Sequence, residues 1–285
     1  MAADVQTMTE SEVRPLGQTI GEQLRDWRER RRLSQMELAL QAEVSTRHLS
    51  FIETGRAKPS RDMILRLAEH MDLPLRDRNQ LLLSGGYAPV YSQTSLDDPA
   101  MDAVREAMNQ LLESHEPYPA VVIDQTWDLI TGNSSIELLT VGCAPWLLSP
   151  RPNALRLSLH PEGMASRIVN LGEWRGHLLG RVRRQVVLGH NPELFELYKE
   201  LSEYPCDQPV PDVEIPGPGG IVTPLRIRFE DRELSFFSMI AMFGTPLDIT
   251  VAELSIESFF PADEETRIFL RDRSARRTEH DDDNR

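Results

Sequence analysis

The chain has 285 residues, 40% of them hydrophobic and 27% charged, which allows packed cores and favours two domains over one or three. No apolar run approaches the roughly 20 residues that cross a bilayer, and the polar, acidic stretch 1–14 has no apolar segment of a secretory signal, so a cytoplasmic protein without a membrane partner is expected. The only cysteines, Cys143 and Cys206, stand apart, and no Cys/His cluster has metal-ligand spacing, so no disulfide framework, metal or cofactor is expected.

The net charge of −14 is unevenly spread. Residues 14–91 hold 13 Lys and Arg against 10 Asp and Glu, whereas the remainder holds 18 against 35. A mildly basic first third followed by a strongly acidic remainder suggests that one part meets phosphate and the other does not.

In chain order, residues 1–15 read as a disordered lead and 16–86 as a bundle of short helices ending at Gly85-Gly86. A linker spans 87–98, with Pro89, Ser92 and Ser95. A second domain spans 99–271, and 272–285 is a charged, flexible tail. Within the second domain a helix is expected over 102–114, with Val104, Met108, Leu111 and Leu112 on one side. Short β-prone runs follow at 120–124 and 128–131, then a short helix at 134–140, a strongly helical stretch over 163–188 that allows a break, and a helix over 192–204. The proline-rich stretch 205–220 reads as a loop. Three strands are expected at 221–230, 233–243 and 247–258, with turns at Glu230-Asp231 and Thr245-Pro246.

Inside the helical bundle, Ser34-Gln35-Met36-Glu37 is a capping box, in which Ser34 caps the helix while Glu37 reaches back to the Ser34 amide. That helix runs to about Gln41, a tight turn passes Glu43-Val44, and Ser45 caps a second helix ending near Glu53, with Gly55 at its C-terminal turn. This is the layout of a helix-turn-helix. At 100° per residue Leu49 and Ile52 point inward, while Arg47, Ser50, Phe51 and Thr54 point away from them. A recognition helix reads bases with its N-terminal exposed residues, so Thr46, Arg47 and Ser50 are the candidate base readers, beside the cap Ser45. Arg47 could grip guanine at two points. Phe51 could touch thymine methyls or pack against another domain. Gln35 in the first turn of its helix, Arg56 and Lys58 in the following loop and Arg61 at the next helix start are the phosphate candidates, the alternative being solvated surface residues.

The run LSQMELALQAEVSTRHLSFIETGRAKPSRDMILRLAEHMDL resembles the Xre, or lambda-repressor-like, family of helix-turn-helix domains. The resemblance implies a five-helix, all-α DNA-binding domain and paired half-site binding to a double-stranded operator by a homodimer. Many such domains place glycine in the turn where this chain has Glu43. If φ is positive there, a side chain costs on the order of 1 kcal/mol.

The order of elements after residue 99 suggests an α+β domain with an antiparallel sheet covered by helices on one face, similar to a PAS-type sensor. HEPYPAVVID, LHPEGMASRIVNLGEW and ELSFFSMIAMFGTPLDITVAELSIESFFPAD resemble the ligand-binding domain of MmyB-like regulators. That resemblance implies a transcription factor sensing a small apolar ligand, a fatty acid or similar acyl compound. Phe236, Met239 and Met242 are candidate wall residues, since neither face of their strand is polar and methionines suit a pliable cavity. Arg156, His160, Arg167 and Asn170 are candidate anchors for an acidic head group, and Trp174 a candidate wall. Each could instead serve packing or structural hydrogen bonding. No H-E-x-x-H, G-x-S-x-G or phosphate-loop pattern occurs, so no enzyme is expected. The competing reading is a protein-interaction adaptor that uses the helix-turn-helix only for pairing and holds no ligand.

Overall fold

The computed structural model describes residues 19–189, 191–210 and 222–283. Two units are distinguished, one of residues 1–95 with 184–195 and 245–252, the other of 96–183 with 196–244 and 253–285.

The first unit contains five helices in succession, α1 (Ile20–Arg30), α2 (Gln35–Gln41), α3 (Thr46–Glu53), α4 (Arg61–His70) and α5 (Leu75–Ser84). Thr19 and Ser34 each form a reciprocal capping box, with Glu22 and Glu37, and the hydrogen bonds from the Ser34 and Thr19 amides and hydroxyls hold both carboxyls below their ordinary pKa. Ser45 and Ser60 cap α3 and α4 through amides three residues on. Every one of the five helices ends on a residue with positive φ: Arg32, Glu43, Gly55, Asp72 and Gly86. At each end the next residue's amide returns to a carbonyl inside the last turn, as Val44 does to Ala39, so the orphan carbonyls are satisfied. Three of these five positions carry a side chain where glycine is the unstrained choice.

Leu24, Trp27, Leu38, Leu49, Ile52, Ile64, Leu67, Met71, Leu81 and Leu82 form one buried core. Full burial of each aliphatic side chain contributes about 1.5–3 kcal/mol. Gly21 lets α1 approach the recognition helix closely, because a Cβ there would lie 2.3 Å from the Ile52 carbonyl oxygen.

The second unit begins with α6 (Asp102–Ser114), followed by β1 (Ala120–Ile123) and β2 (Leu129–Gly132). Three short helices follow, α7 (Glu137–Thr140), α8 (Pro145–Leu148) and α9 (Ala154–Leu159), and then α10 (Leu171–Leu188) and α11 (Pro192–Glu203). The closing elements are β3 (Leu225–Phe229), β4 (Arg232–Met242), β5 (Ser255–Pro261) and α13 (Glu264–Asp283), and between β4 and β5 the chain forms α12 (Ile249–Glu253), of which 249–252 count with the first unit, as do 184–188 of α10 and 192–195 of α11. The strands form one antiparallel sheet in the order β2-β1-β5-β4-β3. Alternation divides its faces. Ala120, Val122 and Ile256 pack with Met108 and Leu112 of α6, while Val121, Leu225 and Phe259 belong to the opposite face.

Four sequence expectations are corrected. The helix expected over 163–188 starts only at Leu171, because Pro161–Ala165 forms a separate π-helical turn with non-helical backbone at Gly163. The strand expected over 247–258 is two elements, since Asp248 caps α12 by accepting from the Thr250 amide and β5 starts at Ser255. The tail expected from 272 continues α13 as far as Asp283. Thr266, at the start of that helix, accepts from the Ser235 amide, Leu270 is buried and Phe269 meets Phe229 at 5.7 Å, so its first turns are tied to β3 and β4. The strand expected from 221 begins at Leu225, and most of the loop expected over 205–220 lies outside the described residues.

Candidate functional site

The recognition helix α3 is set by a buried network behind it. Arg28 donates through Nε to Glu53 Oε1 at 2.6 Å and through Nη2 to Glu53 Oε2 at 3.0 Å. Its Nη1 donates to the Leu33 carbonyl at 2.8 Å, which ties the ion pair to the turn between α1 and α2. Leu49 and Ile52 are buried, so one face of α3 is committed to the core. The opposite face carries Thr46, Arg47 and His48, all exposed, with Ser50 half-buried beside them. Ser45 precedes them as the N-cap, its hydroxyl accepting from the His48 amide at 3.1 Å.

Phe51 is half-buried, with the Arg47 guanidinium 5.3 Å and the Arg56 guanidinium 6.0 Å from its ring centre. Its ring is therefore a platform for two arginines. Gln35 departs from expectation. Its side-chain amide donates to Glu53 Oε2 at 2.7 Å and so points inward, because the buried carboxylate has lone pairs that Arg28 leaves unfilled. Arg56, Lys58 and Arg61 are exposed, with the Lys58 ammonium 5.5 Å from the Tyr87 ring and Tyr87 donating its hydroxyl to the Pro59 carbonyl. Outward residue counting missed His48 as an exposed first-turn side chain, although its position next to Arg47 marked it.

In the second unit, an apolar slot lies between one sheet face and α7, α9 and α10. It is narrow, with a free volume of about 50 Å³. Val121, Trp127, Leu157, Trp174, Leu178 and Phe259 represent its lining, and Ser158, Thr140 and Glu257 supply its few polar groups. Trp127 reaches the slot from the β1–β2 turn, where it sits at φ 66° because Asp124 gathers the Thr126 and Asp128 amides on one carboxylate oxygen. Trp174 lines the slot, and its indole N–H donates to Ser158 Oγ at 2.9 Å.

The other expected ligand residues are placed elsewhere. Arg156 makes a two-point pair with Glu200 at 2.8 and 2.7 Å, so its guanidinium fork is already filled. His160 accepts from the Glu162 amide at 3.0 Å and stands edge-on between the Trp146 and Tyr204 rings. Arg167 donates to the Leu138 and Leu139 carbonyls, and burial pushes its pKa down. Asn170 donates to Glu173 and to the Pro224 carbonyl and accepts from the Arg226 amide, joining the start of α10 to β3. Phe236 is fully buried, and it is not among the slot's lining residues. Met239 and Met242 are 58% and 66% exposed, because β4 runs on beyond its pairing with β3. Sequence reasoning missed Trp127, Ser158 and Glu257. Glu257 was detectable as a lone carboxylate inside the apolar strand SIESFF.

Cys143 and Cys206 are free thiols, and burial raises the pKa of Cys143. Among the described residues no group of three or more His, Cys, Asp or Glu is placed to hold a metal ion, and no helix is long and apolar enough to cross a membrane.

Comparisons with known proteins bear on both units. Residues 19–81 match a helix-turn-helix domain family, and residues 104–272 match the MmyB-like transcription regulator ligand binding domain. No curated protein matches the chain. Among solved structures, the clp gene regulator ClgR from Corynebacterium glutamicum is similar at 23% identity over 34% of this chain and 90% of that one, with a TM-score of 0.21, too low to bear on the overall fold. With a helix-turn-helix domain followed by a ligand binding domain that takes up more than half its length, this chain belongs to the MmyB-like transcription regulators.

Proposed function

We propose that the chain binds a specific double-stranded operator as a homodimer through α3 and that an acyl compound, a fatty acid or a relative of one, occupies the slot of the second unit and changes that binding. The observation that carries the DNA reading is the exposed first turn of α3, with Thr46 and Arg47 outward and Leu49 and Ile52 locked inward. A helix held this way presents its N-terminal side chains to a major groove. Thr46, Arg47 and Ser50 read base edges in this proposal, with Ser45 beside the backbone at the helix start. Phe51 holds Arg47 and Arg56 in place, at 5.3 and 6.0 Å, and its ring edge is available to a thymine methyl. Arg56, Lys58 and Arg61 meet phosphates, and Gln35 contributes through its main-chain amide rather than its side chain.

Narrowness and apolar lining support an unbranched chain as occupant of the slot. The strand order β2-β1-β5-β4-β3, with helices between β2 and β3, supports a PAS-like sensor. Paired half-sites one helical turn apart, about 34–36 Å, make binding sensitive to small rotations within a dimer. A ligand acts on that geometry only through different affinities for the two arrangements.

Fluorescence anisotropy with duplexes tiled across the DNA upstream of the chain's own gene tests the reading. One tile is expected to bind at least about 10³-fold more tightly than a shuffled duplex. Equal affinity for all tiles at low salt would favour the adaptor reading.

A further inference from the structure

β4 outruns one of its neighbours. On one side the pairing with β3 stops where Leu225 meets Phe236, while on the other β5 accompanies β4 as far as Met242. The bonds already made show which backbone groups are left over. The Arg226 carbonyl accepts from the Val169 amide at 2.8 Å and the Arg226 amide donates to Asn170 Oδ1 at 3.1 Å, so Arg226 turns away from β4. Its neighbours Leu225 and Ile227 therefore turn towards β4, and their partners Phe236 and Leu234 turn towards β3. Ser235, one residue out of step, faces the other way, its carbonyl accepting from the Ala262 amide. Along the same alternation Ser238, Ile240 and Met242 each present an N–H and a C=O to the open edge. Among the described residues no strand or bridge pairs with them there. Met239, Ile240 and Met242 are 58%, 40% and 66% exposed, so neither face of this half-strand is covered. The run 235–243 holds no charged residue and no proline, two of the devices that keep an open edge from pairing.

We propose that a second copy of this chain pairs with this edge, β4 against β4 and antiparallel, with Ile240 on the two-fold axis. The proposal names the interface of the homodimer in the reading above and rests on that reading. An odd number of outward residues pairs with itself about the central one. Ile240 of one copy faces Ile240 of the other, and Ser238 faces Met242 in both directions. Three facing pairs at two bonds each give six hydrogen bonds and leave no outward group of Ser238, Ile240 or Met242 unfilled. The register is fixed from both ends. A slip of two residues one way brings Met242 against the stretch that β3 already occupies, and a slip the other way carries Ser238 past the end of β4. The pairing also sets Met239 against Ala241 and Ile240 against Ile240, apolar cross-strand pairs that cover the exposed side chains. Charge favours a second copy as occupant. The uncharged run brings no like charges together at the axis, and it offers a foreign strand no charge to recognise. A two-fold contact of this kind is self-complementary and closes at two copies.

The test is sedimentation velocity on the full chain without DNA, from about 0.1 to 100 µM, and a dimer that dissociates on the order of micromolar is expected from so short a contact. Ile240→Lys, which sets two ammonium groups opposite each other at the axis, is expected to raise the dimer Kd at least about tenfold. Should Ile240→Lys fail to fold, Met242→Pro, which deletes an outward N–H that the fold leaves unused, is expected to do the same. Disulfide capture reads the register, in chains that also carry Cys206→Ser because Cys206 is the less buried of the two thiols. Ile240→Cys, with its two Cα atoms about 5.5 Å apart, is expected to give a covalent dimer on mild oxidation, whereas Ser238→Cys, about 14 Å from its counterpart, is not. A dimer unchanged by Ile240→Lys, or captured equally well through Ser238→Cys, overturns the β4 interface and leaves the homodimer standing. A chain that stays a single copy up to the highest concentration overturns the interface, and if it also binds the operator tile as one copy, the homodimer falls with it.

Discussion

Arg28 on α1 and Glu53 on the recognition helix α3 share two hydrogen bonds, at 2.6 and 3.0 Å, with 9% and 1% of their side chains exposed. Gln35 of α2 joins them through the same carboxylate. The first three helices are thus tied at one polar point under the end of the DNA-reading helix. Removing one partner strands a buried charge. Arg28→Met or Glu53→Leu alone is expected to lose about 3–5 kcal/mol of stability, whereas the double substitution is expected to lose much less than the sum. Urea melts of the three variants check this.

Two backbone positions have opposite expected signs. Glu43 sits at φ 54° in the turn between α2 and α3. Glu43→Gly relieves that conformation and is expected to stabilise the chain by up to about 1 kcal/mol, less the entropy gained by the unfolded state. Gly21→Ala places a methyl 2.3 Å from the Ile52 carbonyl oxygen and forces α1 away from α3. A loss of about 1–3 kcal/mol is expected, accompanied by weaker DNA binding because α3 shifts. Thermal melts report the first effect, and melts with anisotropy titrations report the second.

Arg47 and Arg56 flank one phenyl ring but are proposed to do different work. Arg47→Ala is expected to reduce discrimination at one base pair by about 1–3 kcal/mol. Arg56→Ala is expected to weaken binding to all duplexes alike and to lower the salt slope by about one. Titrations of both variants against matched and shuffled duplexes over a salt series distinguish the roles. An unchanged preference in Arg47→Ala would remove that residue from base reading.

Arg156 holds the Glu200 carboxyl below its ordinary pKa, with a further hydrogen bond from Tyr204 acting in the same direction. A carboxyl whose pKa is lowered on folding stabilises the fold above its unfolded pKa. That contribution is lost as pH falls through the lower, folded value. The gap in stability between the unmodified chain and Glu200→Gln is expected to be full at neutral pH and to vanish on acidification below the ordinary glutamate range. Both groups are partly solvated, so the gap is modest. Melts over an acid pH series measure it.

The helix-turn-helix was legible because its signals are local. Ser34 and Glu37 are three residues apart, Ser45 announces α3, and the inward pair Leu49 and Ile52 sets its face. The second unit depends on distant partners. Arginine chemistry nominated Arg156 for an acidic ligand, but its filled fork comes from Glu200, 44 positions away. Met239 and Met242 lie in an apolar alternation that reads as buried, yet β3 is too short to accompany β4 that far. The β-branched run around Thr250 and Val251 suited a strand equally well, until the cap from Asp248 turned it into a helix. Glu257 gave its signal in the opposite way, as a charge where the strand pattern had no need of one.

The coupling of a small molecule to operator binding is measured most directly by anisotropy on one operator duplex, with lipid-stripped protein and with the same protein saturated with dodecanoate. The expected result is a change in Kd of about 5–150-fold between the two. Identical affinity, with the compound shown bound by calorimetry, would contradict the reading of the second unit as a sensor.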